Sequence, residues 1–235
     1  MDNRKIGICC PTWNRFDLTI KAFEQVLDDD RIISVTLSDD NSTDDSYEKL
    51  VEYYKGNKKV LLYKNRENLD CYENKKESIL SSDTEWNILL DSDNIIDKSY
   101  LDAIYAIEEW DSKTIYQPEF ARPHFDFRQF SGLEITSKNT PEYKYNNYFE
   151  VMLNAMNFFI NRDEYLKVWD GSINPVTSDS IYFNYCWLNA GNKIYVTPNM
   201  QYEHTVHDGS HYQLNNKKTP QGFHQSVLDK LNALK

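Results

Sequence analysis

The chain has 235 residues and a formal net charge of −11, with 26 Lys and Arg against 37 Asp and Glu. This acidic balance argues against nucleic acid as a partner, because a general nucleic-acid binder needs a basic footprint. Only 7 Gly and 7 Pro are present, which excludes a fibrous or a Pro/Gly-rich disordered chain. The length is sufficient to bury a core without disulfides or a structural metal.

Short apolar segments alternate with helical patterns over the first 110 residues. β-branched and apolar runs predict strands at 5–10, 32–37, 60–63 and 86–90. Apolar residues at helical spacing predict helices at about 18–28, 46–54, 72–80 and 99–110. Strands that alternate with helices in this way imply an α/β fold with a largely parallel sheet covered on both faces.

The second half of the chain is less regular. Its pattern predicts a strand at 115–117, aromatic-rich loops over 118–147, and a strand or core helix at 149–160. A helix over 178–190, capped by Ser178 and ended by Gly191, is followed by a strand at 193–196, a flexible loop over 208–222 and a terminal helix over 225–234. Because no linker is visible, we expect one domain over 1–235.

Cysteine usage and hydropathy predict the cellular compartment. The four cysteines include the adjacent pair Cys9 and Cys10 in an apolar run, and no C-x-x-C motif occurs, which is typical of reduced thiols in a reducing compartment. The sequence shows neither a signal-peptide pattern nor an apolar stretch long enough to span a bilayer. These features predict a cytoplasmic protein with no transmembrane segment.

Polar clusters follow three of the predicted strands, at 11–15, 38–42 and 91–94. Ligands of parallel sheets bind outside the carboxyl ends of the strands, so we expect the three clusters to meet. Asp91 and Asp93 lie two residues apart and offer the oxygen ligands that Mg²⁺ or Mn²⁺ prefers, although an acidic turn that caps the next helix has the same pattern. Arg15 is one of few cations at this edge that a phosphate can reach.

The order of these motifs carries a resemblance. The run I-C-C-P-T-W-N-R at 8–15, the turn D-D-N-S-T-D at 39–44 and D-S-D at 91–93 resemble the inverting nucleotide-sugar glycosyltransferases of family 2. The resemblance covers roughly residues 5–210. It implies a single GT-A (Rossmann-like) α/β domain with a mostly parallel central sheet flanked by helices. Residues 1–110 would bind the nucleotide sugar, and residues 111–235 would bind the acceptor.

The resemblance also implies a set of contacts to the nucleotide sugar: Pro11, Thr12, Asn14, Arg15, Asp39, Lys75, Asp91 and Ser92. Lys75 stands where the family usually has Arg, and Asp70 stands where it usually has Gly. A lysine keeps the positive charge but lacks the planar fork of a guanidinium. A solvated helix face is the alternative interpretation of Lys75, and a helix-capping turn is the alternative for the cluster around Asp39.

The late motifs imply the catalytic base and the metal. Asp179 is the remaining member of the family's acidic pair and is implied to be the general base, with Glu150 or Asp170 next in line; the alternative is an acid that only stabilises a helix N-terminus. The segment 202–211 resembles a late Y-x-H motif. A metal shell of Asp93 and His204, with Asp91 nearby, is implied to hold Mn²⁺ (or Mg²⁺), and His207 is the alternative histidine. An exposed polar loop or a zinc site are the other interpretations of these histidines.

The implied reaction transfers a sugar from a nucleoside-diphosphate sugar, with UDP favoured by the family, to an acceptor hydroxyl with inversion. The acceptor would be a glycan, a glycolipid or a protein, reached in the cytoplasm or at a membrane surface. Aromatic rings could stack on sugar faces, and the candidates are Phe120, His124, Phe125, Phe127, Phe130, Tyr143, Tyr145 and Tyr148. Two alternatives stay open: a non-catalytic carbohydrate-binding or scaffold protein, and a nucleotidyltransferase, which would more typically carry a Gly-rich phosphate loop.

Overall fold

The computed structural model describes residues 4–155, 157–207, 209–210 and 215–235. The strands are β1 (Ile6–Thr12), β2 (Ile32–Asp39), β3 (Val60–Lys64), β4 (Trp86–Leu89), β5 (Thr114–Arg122), β6 (Phe125–Asp126), β7 (Glu134–Ile135), β8 (Phe159–Asn161) and β9 (Lys193–Glu203). The α-helices are α1 (Phe16–Phe23), α2 (Ser46–Tyr53), α3 (Asp70–Leu80), α4 (Lys98–Tyr105), α5 (Asn147–Leu153), α6 (Arg162–Val168), α7 (Asp179–Asn189) and α8 (Phe223–Asn232).

The described strands form one sheet in the order β3-β2-β1-β4-β8-β5-β9-β7, with β6 paired to β5. The longer strands pair in parallel: β1 with β2 and β4, β2 with β3, and β5 with β9. Antiparallel pairing is confined to the short strands β6, β7 and β8. The predicted α/β fold with a mostly parallel central sheet is therefore confirmed.

The core lies on both faces of the sheet. Alternate residues of β1 divide between two apolar clusters, with Ile8 and Cys10 in one and Cys9 in the other. Buried side chains of α1 and α4 belong to the first cluster, and those of α3, α5 and α7 to the second. Every residue of β1 is buried, which explains why this strand is a continuous apolar run rather than an alternating one.

The second half departs from the predicted elements in two places. The apolar run 149–160 divides into α5 and β8, with Asn157 between them in the left-handed backbone region (φ 72°). The strand predicted at 193–196 continues to Glu203 through Pro198, because β5 supplies a partner along this length. The register shifts between Pro118 and Phe120, where a residue without an N–H can be accommodated.

Three further predictions are met only in part. The predicted loop 118–147 contains the end of β5 as well as β6 and β7. The helix predicted at 99–110 ends at Tyr105, and Trp110 instead packs against Phe159 with its Nε1 donating to the carbonyl of Ile104 (3.1 Å). The loop predicted over 208–222 falls partly outside the described residues, as do Asp208 and His211.

Two other features bear on the predicted compartment. Among the described residues, no helix has the length and apolarity that crossing a bilayer requires. All four cysteines are free thiols.

The ends of β1, β2 and β4 lie side by side. Thr12 pairs with Asp39 at the ends of β1 and β2, and the Asp40 N–H donates to the Thr12 carbonyl at 2.9 Å. The Leu90 N–H donates to the carbonyl of Cys9 at 2.9 Å, which places the segment after β4 beside β1. The three polar clusters therefore meet at one edge of the sheet.

Candidate active site

A cleft of about 1040 Å³ opens at this edge of the sheet. Its walls come from the segments after β1, β2, β4 and β9, from one side of α3 and α5, and from the start of α7. The site residues predicted from the sequence that line it are Pro11, Thr12, Arg15, Lys75, Asp91, Ser92, Asp93, Asp179 and His204. Asn14 and Asp39 do not line it.

Asp93 is the centre of a charged cluster at one end of the cleft. Its Oδ2 accepts a hydrogen bond from Arg15 Nη1 at 2.9 Å and lies 3.0 Å from His207 Nε2. Arg15 Nη2 donates to the carbonyl of Gly209 at 2.9 Å, so the segment after β9 is joined to the loop after β1. Positively and negatively charged side chains thus meet at this end of the cleft, where a diphosphate could replace one of the protein groups that Arg15 contacts.

The donor atoms at Asp93 are of the types that a divalent cation accepts, but they are few among the described residues. In the part of the chain that is described, no group of three or more His, Cys, Asp or Glu residues is placed to hold a metal. Asp93 and His207 supply a carboxylate and an imidazole, which Mn²⁺ accepts, and Mg²⁺ or Mn²⁺ usually completes its shell with water and substrate phosphates. A cation at this site is compatible with two protein ligands and stays a prediction.

His204, the predicted metal ligand, lies beside other aromatic rings. Its Nδ1 is 3.0 Å from Nδ1 of His124, and its ring packs edge-on against Phe125. Burial and the neighbouring His124 lower the pKa of His204, so the ring is neutral near pH 7. The geometry favours the alternative histidine, His207, as the partner of Asp93, and no observation tests either ligand directly.

A second charged cluster lies deeper in the cleft. Lys75 Nζ is 2.7 Å from Asp179 Oδ2 and 3.1 Å from Asp91 Oδ1, and the side chains of Lys75 and Asp179 are only 6% and 9% exposed. Burial alone would lower the pKa of Lys75, but the two carboxylates raise it well above its ordinary value, so the side chain is a cation. The alternative interpretation, in which Lys75 occupies a solvated helix face, is wrong, because Lys75 lies on the buried side of α3. Its contact to the nucleotide sugar stays a prediction.

Cys71 lies one helical turn before Lys75, so both side chains reach the same carboxylate. Its Sγ donates to Asp179 Oδ2 at 3.3 Å. Burial, followed by the charge of Asp179, raises the pKa of Cys71, so it is a thiol and not a nucleophilic thiolate. Nothing in the sequence singled out Cys71, since no motif contains it.

Asp179 is the first residue of α7 and follows a 3-10 turn at Val176–Ser178. Ser178 occupies the N-cap position as predicted, but its side chain makes no capping hydrogen bond. Its Oγ lies instead 3.2 Å from Nδ1 of His224 in α8. The N-terminus of α7 therefore presents Asp179 to the cleft. Of the other candidate bases, Glu150 lines the cleft. Asp170 does not line it, and its Oδ2 accepts a hydrogen bond of 2.6 Å from the Tyr182 hydroxyl.

The loops after β1 and β2 are fastened to each other by residues behind the cleft. The Asn14 N–H donates to Ser42 Oγ at 2.8 Å, and Asn14 Oδ1 accepts from the Thr43 N–H at 2.8 Å. Thr12 lines the cleft, but its hydroxyl lies 2.7 Å from that of Thr19 in α1. Asn14 therefore connects the two loops, and its contact to the nucleotide sugar stays a prediction.

Asp39 and Asp40 differ in what they face. Asp39 is 1% exposed and accepts hydrogen bonds from the N–H and hydroxyl of Ser42 at 2.9 and 2.5 Å. Asp40 lines the cleft and accepts from the Leu69 N–H at 2.8 Å. Burial raises the pKa of both carboxyls. The sequence pointed to Asp39 as nearest the strand, but adjacent residues of an extended chain face opposite sides. Direct contact between Asp39 and the nucleoside stays a prediction.

The aromatic candidates for sugar stacking separate into core and surface. Phe127 and Phe130 are buried, and Tyr143 stacks on the buried Phe149. Tyr145 and Tyr148 are 81% and 62% exposed. Packing of an irregular core therefore explains part of the aromatic content, as expected for such side chains.

A comparison with protein families decides the family. The model described as "Glycosyl transferase family 2" matches residues 7–169, which include the polar clusters at 11–15, 38–42 and 91–94. The chain belongs to glycosyl transferase family 2. The family 2 prediction is thereby confirmed, and the nucleotidyltransferase interpretation is not supported.

Solved structures agree with this fold. TarS 1–349 of S. aureus in complex with UDP-GlcNAc superimposes with a TM-score of 0.68 at 18% identity, covering 88% of this chain and 60% of TarS 1–349. The complex of TarS 1–349 with UDP gives a TM-score of 0.67 at 16% identity, covering 97% of this chain and 70% of that one. No curated protein matches the sequence. At these identities the similarity is evidence for the fold alone, and this chain spans about 60% of the TarS structure with UDP-GlcNAc.

Proposed function

We propose that this family 2 member transfers a sugar from a nucleoside-diphosphate sugar, with UDP as the nucleotide, to an acceptor hydroxyl with inversion at the anomeric carbon. The observation that carries the proposal is the placement of Asp179 in the same cleft as the cluster of Arg15, Asp93 and His207. The TarS structures similar to this chain contain UDP-GlcNAc and UDP, which supports a UDP-linked donor.

Asp179 is the general base in this proposal. The acceptor oxygen forms a bond to the anomeric carbon while the bond from that carbon to the diphosphate oxygen breaks, and the diphosphate leaves with the electron pair. The hydroxyl proton passes to the Asp179 carboxylate. Attack on the face opposite the leaving group inverts the configuration. Lys75 holds the carboxylate at 2.7 Å, so the base is oriented before the acceptor arrives.

Cations near Asp93 stabilise the charge that develops on the diphosphate. Arg15 offers two N–H donors, which suits phosphate oxygens. A bound Mn²⁺ or Mg²⁺, held by Asp93 and His207 with Asp91 nearby, would supply further positive charge at the leaving group. In a chain with a net charge of −11, an anionic donor must be attracted by such local groups.

The acceptor and the cellular location of the reaction are part of this proposal. A glycan, a glycolipid or a protein hydroxyl would each present the oxygen that Asp179 deprotonates. Free thiols support a reducing compartment, so we place the reaction in the cytoplasm or at the membrane surface that faces it.

A thermal-shift screen tests the donor. UDP, GDP and dTDP are added with and without Mn²⁺, and we expect the largest rise in melting temperature with UDP plus Mn²⁺. Release of UDP from UDP-GlcNAc and other UDP-sugars is then measured. Stabilisation by UDP with no release from any donor would support the non-catalytic carbohydrate-binding alternative, and the lack of any nucleotide effect would contradict the proposal.

A further inference from the structure

Four residues on one face of α5 and at its C-cap line the cleft that also contains Asp179. Asn147, Glu150, Val151 and Asn154 follow the spacing i, i+3, i+4 and i+7 of a helical face, and all four line the cleft. We propose that this face is the acceptor subsite and that it binds an uncharged sugar ring. The inference rests on the proposed glycosyl transfer and names the class of acceptor that the transfer uses.

The opposite face of α5 fixes its position. Phe149, Met152 and Leu153 are at most 3% exposed and belong to the core that also contains residues of α7. Asn146 caps the helix, with its side chain accepting from the N–H groups of Tyr148 and Phe149. The face toward the cleft is therefore presented by a docked and capped element, as a binding surface requires.

Two polar groups on this face make no hydrogen bond to the rest of the described protein. Within the described ranges, the Glu150 carboxylate takes part in no hydrogen bond or ion pair, and the buried Oδ1 of Asn154 has no hydrogen-bond donor. Val151 is apolar and 41% exposed. A sugar ring matches all three features, because its C–H face packs on the valine while its hydroxyls donate to the carboxylate and the amide oxygen.

Charge at this end of the cleft selects against a phosphorylated acceptor. Glu150 lines the cleft, and its carboxylate has no ion-pair partner among the described residues. Burial lowers the pKa of His224 although Glu150 opposes the shift, so this ring is neutral near pH 7 and does not offset the negative charge. Lys218 also lines this end, but it is exposed and its charge is screened by water and salt. Tyr148, 62% exposed and next to Asn147, extends the same surface for a second sugar unit.

Saturation-transfer NMR tests the class of ligand without knowledge of the donor sugar. UDP and Mn²⁺ are added in excess so that the nucleotide site is filled. The probes are methyl hexosides, hexose 6-phosphates and a serine-containing peptide. We expect signal transfer to the ring protons of the methyl hexosides and at least about 10-fold weaker binding of the phosphates. Tighter binding of hexose 6-phosphates or of the peptide would overturn the proposal.

Variants on α5 connect the binding to this face. Val151→Asp should weaken methyl hexoside binding at least about 10-fold, whereas Val51→Asp, at a valine 44% exposed on the distant α2, should leave it unchanged. Glu150→Lys should gain binding of hexose 6-phosphate, because the repulsive charge becomes attractive. Equal binding by wild type and both α5 variants would place the acceptor elsewhere. UDP stabilisation, measured on the same samples, reports failure of the donor proposal separately.

Discussion

The two ends of the cleft differ in how their polar groups are satisfied. At the donor end, Asp93 is paired with Arg15 and His207, and Lys75 is paired with Asp91 and Asp179. At the acceptor end, Glu150 and the Oδ1 of Asn154 have no protein partners in the described part of the chain. One end is a network of ion pairs, and the other combines a carboxylate and a buried amide oxygen, both without hydrogen bonds in the described structure, with an exposed valine.

This difference follows from the cost of burying charge. A buried ion needs a partner, so groups that bind a charged ligand are paired with each other when the ligand is absent. A half-exposed carboxylate such as Glu150 can stay hydrated at lower cost, whereas the buried Oδ1 of Asn154 is a costly unsatisfied acceptor that a neutral ligand could satisfy. The comparison therefore supports the proposal that one end binds an anionic diphosphate and the other an uncharged sugar.

Removal of the positive charge of Lys75 is expected to have the largest effect. Lys75→Met would leave Asp179 and Asp91 without their shared partner and should lower the free energy of unfolding by about 3 kcal/mol, as for other broken buried ion pairs. Urea denaturation measures the change. The control is Lys76→Met, because Lys76 is 22% exposed and pairs with Glu73 and Glu77, and it should change stability by less than about 1 kcal/mol. Equal losses in the two variants would contradict a buried role for Lys75.

Asp179→Asn tests the role of Asp179, which lies between the two ends, as the general base. The amide keeps the shape of the carboxylate but cannot accept the proton, so transfer should fall at least about 100-fold. Stabilisation by UDP plus Mn²⁺ should remain near normal. The matched control is Asp163→Asn, since Asp163 is 79% exposed at the start of α6. Transfer within a few-fold of wild type would move the base to another residue, with Glu150 the candidate that lines the cleft.

Substitution of His207 and of His204 tests which of these two histidines acts together with Asp93. Because His207 Nε2 lies 3.0 Å from Asp93 Oδ2, His207→Ala should weaken Mn²⁺-dependent UDP binding about 10-fold. His204 faces His124, so His204→Ala should have a smaller effect. Isothermal titration of UDP with and without Mn²⁺ measures both. A larger loss at His204 would restore that residue as the metal ligand, and no dependence on Mn²⁺ would exclude the cation.

The smallest expected effect concerns His224 at the acceptor end. Its pKa in the folded protein is below the ordinary value of 6.5, mainly because of burial. The unfolded chain therefore binds a proton more readily, and the folded state loses stability as the pH falls below 6.5 and through the lowered pKa. His224→Asn should reduce the loss of melting temperature between pH 7 and pH 5, by an amount equivalent to less than about 1 kcal/mol. Identical pH slopes would show that this ring does not stay neutral in the folded protein.

The first four strands could be predicted from the sequence because each contains an apolar run, and three of them, β1, β2 and β4, are buried runs followed by a polar cluster. Parallel strands covered on both faces need apolar residues at every position, and this need is visible without the partner strand. β1 and β2 meet it almost throughout their lengths. The position of the cleft follows from the same rule, since it opens where these strands end.

The second half could not be predicted equally well because its strands depend on partners distant in the chain. β9 extends through Pro198 only because β5 lies beside it in parallel. Likewise, the run 149–160 is apolar throughout, and it is the packing of α5 on one side and the pairing of β8 with β4 on the other that divides it. Periodicity alone does not distinguish a short strand from a buried helix in such a run.

The sequence by itself determined the fold class, the family and the edge of the sheet where most of the predicted site residues lie, because these depend on local motifs at strand ends. Only the tertiary structure decided which of two adjacent acids faces the cleft, which histidine reaches Asp93, and that Lys75 is buried between two carboxylates. The acceptor face of α5 also needed the structure, since it belongs to no motif. The physical reason is that side-chain contacts between α3, α5, α7 and the segment after β9 are set by packing across the sheet, and no local sequence pattern encodes packing between distant segments.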